Sequence, residues 1–336
     1  MTDQVASANS HFALDLFQKL SEADSTGNIF SSPLSMTPAP AMVFLEAKGD
    51  TATQLLKTFH FDGVEDFHLR LQALSITVNQ SNVPYVLKLA NRLYGENTYT
   101  FLQDYLTRTQ KLYGAELSMV DFLNVAESMR KQINQWFESW TESKISEVLS
   151  EGSVNQLTKL VLVNEIYFKV AGKRSFKKKL GSARRKKKNV KMMLMKKKFP
   201  FGYIAECKCR VLELPYQGKE LSMILLLPND IDDSTGLEQL KKQFTLGKLQ
   251  EWTQPRNIYS CNEIYVHLSK FELEESYDLK TYLAVVDCRV SFDADKEHLS
   301  GMLGTHDLHV SKIVHMSFVE VNEEGTEAAA TAVAVI

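Results

Sequence analysis

Residues 323–336 read EEGTEAAATAVAVI. After Glu327 this stretch carries no charge, and it has no aromatic residue, no proline and almost nothing larger than valine. It is too short to span a bilayer. Small side chains suit a segment that leaves solvent and slides between other backbones in a tight sheet. Because alternate residues of a strand face opposite ways, Thr326, Ala328, Ala330 and Ala332 would share one face. Glu327, Ala329, Thr331 and Val333 would share the other. Gly325 offers backbone freedom at a pivot just before the run.

Outward from this segment the pattern is mixed. The spacing predicts a helix from about Ser7, with Phe12, Leu16 and Leu20 on one stripe, and further helices over 103–113 and 127–140. Leu160 to Phe168 is almost continuously apolar, as expected of a strand covered on both faces. Val211 to Leu214 and Leu221 to Leu227 flank Gln217-Gly218, a turn signal between two strands. No linker or repeat divides the chain, so residues 1–336 read as one domain. The class is α+β with large sheets, since helices and strands do not alternate.

The 336 residues are 44% hydrophobic, enough for a large core. Lys+Arg is 39 against 41 Asp+Glu, so net charge directs the chain to neither nucleic acid nor membrane. The stretch 173–198 is the exception, being densely basic with no acid. It could bind a polyanion, although a charge run is more often a solvated face. The start lacks a basic-then-apolar leader, so a cytoplasmic location is expected. Cys207, Cys209, Cys261 and Cys288 then read as free thiols. Cys207-x-Cys209 has no second pair to complete a metal site, and His298, His306 and His309 lie in what reads as a loop. Neither metal nor cofactor is expected. No G-x-S-x-G elbow, H-E-x-x-H helix or phosphate-binding glycine loop is present, so the chain does not read as an enzyme.

The segment at 317–330, SFVEVNEEGTEAAA, resembles the reactive-loop hinge of the serpins. NIFSSPLS at 28–35, LKLANRLYG at 87–95, YGAEL at 113–117, LVLVNEIYFK at 160–169 and SKIVHMSFVEVN at 311–322 extend the similarity over the whole chain. RVLELPYQGKELSMILLLP at 210–228 is similar to the ovalbumin-like intracellular branch. The resemblance implies helices packed around three β-sheets. It implies an inhibitor of serine proteases, elastase-like or chymotrypsin-like, that offers a loop as bait. After cleavage to an acyl-enzyme, the loop inserts into the main sheet and the tethered protease is carried along and distorted. On this pattern Glu323, Glu324, Gly325, Thr326, Glu327, Ala328, Ala329, Ala330 and Thr331 form the hinge. Ala332, Val333, Ala334, Val335 and Ile336 lead toward the cleaved bond. Ser32, Ser35, Asn164 and His315 match a polar cluster beneath the opening of the sheet.

The resemblance further implies that Ile336 precedes the cleaved bond and that the family's C-terminal segment is lacking. The expected species is a monomer, the long fragment of a cleaved inhibitor. Gly325 to Ile336 would lie inside the main sheet, with the C-terminal peptide as a second chain. Release to the extracellular space without a leader is compatible with this branch. The alternative is a non-inhibitory serpin, a carrier or storage protein, but such members tend to have bulky or charged residues after the hinge threonine. Some positions depart from the pattern. Pro38 and Pro40 fall where a helix should continue, at a cost of about 3 kcal/mol each in a helix interior. Glu165 sits in an apolar strand, Gly172 replaces a tryptophan, Met316 replaces a lysine, and 170–195 is shortened.

Overall fold

The protein is described by a computed structural model, covering residues 2–45, 49–78, 84–171, 177–182, 189–229, 235–260, 263–279, 302 and 312–335. Gly172, Ile336, Cys261, Cys288, His298, His306 and His309 lie outside the described residues, as do 173–176 and 183–188 of the basic stretch.

The first half is mainly helical: α1 (Thr2–Ala23), α2 (Pro33–Met36), α3 (Pro38–Phe44), α4 (Gly49–Thr58) and α5 (Phe67–Val78), then α6 (Gln103–Tyr113) and α7 (Phe122–Trp140). The stripe on α1 packs as its spacing predicts, with Val5, Ala8, Phe12, Leu16 and Leu20 all buried. α6 ends at Gly114, whose φ of +64° is left-handed and whose N–H closes the last turn on Gln110. α7 begins earlier than its apolar spacing suggests. Asp121 accepts from Asn124 N–H at 2.8 Å, and Val125 is non-helical, so a short capped turn precedes the helix proper.

Among the described residues there are three sheets. The largest contains β1 (Tyr85–Glu96), β2 (Glu116–Val120), β3 (Leu160–Ala171), β11 (Phe271–Asp278), β12 (Lys312–Val321) and β13 (Gly325–Val335), in the order β11-β12-β13-β3-β1-β2. Only β1 and β2 run parallel. The second joins β4 (Lys177–Ser182), β5 (Asn189–Lys197) and β10 (Ile264–Ser269). The third joins β6 (Pro200–Ile204), β7 (Cys209–Pro215), β8 (Ser222–Pro228) and β9 (Tyr259–Ser260), flanked by α8 (Thr235–Gln243) and α9 (Leu246–Trp252). The turn between β7 and β8 requires Gly218. Its φ is +85°, and a Cβ there would lie 2.3 Å from the Pro84 ring.

The large sheet is covered on both faces, which explains the continuous apolar run in β3. Leu160 and Leu162 join the core made with α1, α3 and α6. Val161, Val163 and Tyr167 face the opposite way and pack with Phe122, Ile133 and Phe137 of α7. All four residues from Leu160 to Val163 are fully buried. Each contributes about 1.5–3 kcal/mol of burial free energy.

The two prolines fall where the helix can accept them. Thr37 keeps helical backbone angles, with φ −76° and ψ −42°, but the hydrogen-bond ladder is interrupted there, so Pro38 and Pro40 occupy the first turn of α3, where missing N–H groups cost least. The Thr37 hydroxyl holds the junction, donating to Asn9 Oδ1 at 2.6 Å and lying 3.1 Å from the Pro33 carbonyl. Placed in the first turn, the two prolines forgo fewer hydrogen bonds than they would inside one continuous helix.

Candidate functional site

β12 and β13 form a hairpin whose turn is organised by Asn322. Its Oδ1 accepts from Glu324 N–H at 2.9 Å and Gly325 N–H at 3.3 Å, and its own N–H donates to the Gly325 carbonyl at 3.0 Å. Gly325 itself is in extended backbone, so the turn's curvature comes from its neighbours.

β13 is paired along both edges. Thr326 to Val335 run antiparallel to Lys312–Val321, and Gly325 to Val335 run antiparallel to Val161–Ala171. Small residues fit because both faces are covered: Ala329, aligned between Phe318 and Tyr167, is fully buried beneath α7. Glu165 aligns with Thr331 and with Ala90.

The first two residues after Gly325 are each tied to a tyrosine, on opposite faces of the sheet. Thr326 Oγ1 lies 2.7 Å from the hydroxyl of Tyr216, which is buried and whose pKa is raised, chiefly by that burial. Glu327 Oε1 accepts from the Tyr167 hydroxyl at 2.7 Å. The same hydroxyl reaches Glu142 Oε2 at 2.9 Å, and its one proton serves one carboxylate at a time. Burial, reinforced by these two carboxylates, pushes the Tyr167 pKa well up. The Tyr167 hydrogen bond in turn holds Glu142 below its ordinary value, helped by Lys169 and Lys88.

These contacts belong to a chain of alternating charges running across the sheet. Lys88 meets Glu142 at 3.5 Å, Glu142 meets Lys169 at 3.9 Å, and Lys169 meets Glu327 at 3.6 Å. Glu327 meets Lys144 at 3.9 Å, and Lys144 meets Glu320 at 3.2 Å. Lys270 then links Glu320 at 3.7 Å to Glu323 at 4.0 Å. Glu320 is held below its ordinary value, first by a hydrogen bond from Asn322 and then by Lys144.

The four residues matched to a polar cluster are only partly brought together. Ser32, just before α2, does not cap that helix; its N–H donates to His315 Nε2 at 3.1 Å. The neutral His315 ring therefore carries its proton on Nδ1. Ser35 Oγ donates to the Ser32 carbonyl at 3.1 Å. Asn164 aligns with His315 across Ala332 of β13, but its amide donates to Asn91 at 2.7 Å. Ser35, Asn164 and His315 are all fully buried. Sequence reasoning missed Ser317, which donates to the Phe30 carbonyl at 2.7 Å. It also missed Tyr277, whose hydroxyl accepts from Phe30 N–H at 3.1 Å and whose ring stacks on His315. The period of β12 could have found Ser317, since His315 and Ser317 share a face.

Cys207 and Cys209 are free and buried against Leu240 and Trp252. Burial pushes the Cys209 thiol up to about 11, away from metal-binding or nucleophilic chemistry. Among the described residues no cluster of His, Cys, Asp or Glu could hold a metal, and no helix is long and apolar enough to cross a membrane.

A family model described as Serpin (serine protease inhibitor) matches residues 7–336. Leukocyte elastase inhibitor of Equus caballus is 56% identical over 335 residues, covering 98% of this chain and 88% of the relative. The human protein of that name is 55% identical over the same shares. Among solved structures, emu ovalbumin superposes with a TM-score of 0.94 at 33% identity, covering 99% of this chain and 90% of that one.

Proposed function

The chain belongs to the serpin family of serine protease inhibitors, and from that premise we propose that it traps elastase-type serine proteases by loop cleavage and insertion. It is an inhibitor and not an enzyme. In this reading β13 is the loop strand in its inserted state. Glu323 to Thr331 are the hinge, and Ala332 to Ile336 lead to the cleaved bond. Ser32 and His315 tie the start of α2 to the neighbouring strand β12, Ser35 braces Ser32 from within that helix, and Asn164 marks the other side of the gap. The observation that carries the proposal is the strand of small residues seated between β12 and β3, with Ala329 fully buried. A carrier or storage role gains no support from such a strand, which is suited to fast insertion. The C-terminal peptide after cleavage is the proposed second chain, and the inhibitor acts as a monomer. Its proposed location is cytoplasmic, with release to the extracellular space.

The test is incubation of the chain, extended through the cleaved bond, with elastase. A complex that survives SDS supports the proposal; turnover of the loop without a complex overturns it. A weak polyanion contact is a second reading, favoured by the placement of lysine-rich β4 and β5 side by side in one sheet. Lys196 is already paired with Glu263 at 3.2 Å, which limits the free charge. Retention on heparin should therefore vanish at modest salt.

A further inference from the structure

The eight charges described above alternate across the large sheet, and the four adjacent strands β1, β3, β13 and β12 each supply a link. Lys88 comes from β1, Lys169 from β3, Glu327 from β13 and Glu320 from β12. Glu142 and Lys144 come from the segment that follows α7 and lies against the same face. Glu327 is the one link that β13 provides. Its carboxylate is only 14% exposed, so it gives up most of its water on entering the sheet. Without it, Lys144 and Lys169 keep only Glu320 and Glu142, and each of these acids is shared with a second lysine, Lys270 and Lys88. The gap between them carries excess positive charge and faces a hydroxyl, that of Tyr167, able to donate to an arriving carboxylate.

We propose that Glu327 is a positioning residue for strand insertion, seized by Lys144, Lys169 and the Tyr167 hydroxyl as the hairpin-proximal end of β13 enters the sheet. For its bearing on inhibition, this rests on β13 being the loop strand. Position in the chain makes the contact early. Glu327 is two residues beyond Gly325, and the turn at Asn322 tethers that end to β12. Closing so short a connection costs little entropy, so pairing zips from there. The contact also adds a link between β13 and the segment after α7, since Lys144 reaches Glu327 at 3.9 Å beside its contact with Glu320 of β12. Thr326 and Tyr216 secure the opposite face at the same level.

The test is amide hydrogen exchange on β13 in the chain ending at Ile336, comparing Glu327→Gln with Glu324→Gln. Glu324 lies three residues away on the exposed turn and provides a control for the same charge change. Glu327→Gln should speed exchange at 328–333 about five- to tenfold at low salt, and Glu324→Gln should leave it unchanged. Raising salt to about 1 M should bring the unsubstituted chain close to the Glu327→Gln rate. Equal exchange in Glu327→Gln and the unsubstituted chain overturns the proposal, as does an equal effect of Glu324→Gln. In the extended chain, Glu327→Gln should lower the ratio of trapped to released elastase by a similar factor. The exchange measurement needs no protease, so failure of the inhibitor reading and failure of the Glu327 contact are seen separately.

Discussion

Thr326 and His68 show how single polar groups are managed here. The Thr326 hydroxyl meets the buried Tyr216 hydroxyl, so Tyr216→Phe removes one neutral hydrogen bond and leaves Thr326 unsatisfied. Denaturant unfolding should show a loss of about 1–2 kcal/mol. His68 is linked by Nδ1 to the Tyr113 hydroxyl. Burial, with a smaller contribution from Arg108, holds its pKa down to about 4 from an ordinary 6.5. The unfolded chain therefore takes up a proton that the folded chain refuses. Stability attributable to His68 is complete above about pH 6.5 and is lost progressively as pH falls toward about 4. His68→Gln should flatten that part of the stability–pH profile, measured by denaturant titration at each pH.

At the scale of elements, β13 and α7 depend on one another. Ala329 fills the space between Phe318, Tyr167 and α7, so Ala329→Leu overpacks it and should cost about 1–3 kcal/mol, read from the unfolding midpoint. α7 is fastened to the segment after it by Arg130, which donates to the Leu149 carbonyl at 2.6 Å and to Glu147 at 2.8 Å. Asn134 completes the tie, accepting from Val148 and Leu149 N–H. Arg130→Ala leaves the Leu149 carbonyl with the Asn134 amide alone, at 2.9 Å, and removes the charged bond to Glu147, so it should destabilise by about 1.5–3 kcal/mol, with loss of exchange protection concentrated at 145–149. Much of this architecture was legible in the sequence. The apolar run at 160–168 announced a doubly covered strand, and the run of alanine and valine after Gly325 announced a strand of small residues. The Arg130 tie was not legible, because nothing in the spacing of a helix says which distant carbonyl its long side chain reaches. Nor was the charge chain: its members are up to 235 residues apart, from Lys88 to Glu323, and only strand register aligns them. Pro38 and Pro40 misled for a related reason, since the start of a new helix at Pro38, beside the Thr37–Asn9 contact, has no mark in the local spacing.

For the molecule as a whole, the large sheet joins two cores, and the charge chain crosses it near the hairpin turn. Glu142 and Glu320 titrate below their ordinary values, so their stabilising contribution is present above the unfolded carboxylate range. It is lost as pH falls through their folded values. Thermal unfolding should accordingly show a falling midpoint below about pH 4.5, with a shallower fall at high salt. The chain has three tryptophans, and two of them, Trp136 and Trp140, stack on each other in α7 with ring centroids 5.8 Å apart. The Arg92 guanidinium sits 4.9 Å from the Trp136 ring. Two of the three indoles therefore sit on the helix that covers β13. A stacked pair shadowed by a cation is sensitive to small displacements, so emission recorded in a stopped-flow cuvette would report any shift of α7 over β13 with no label attached.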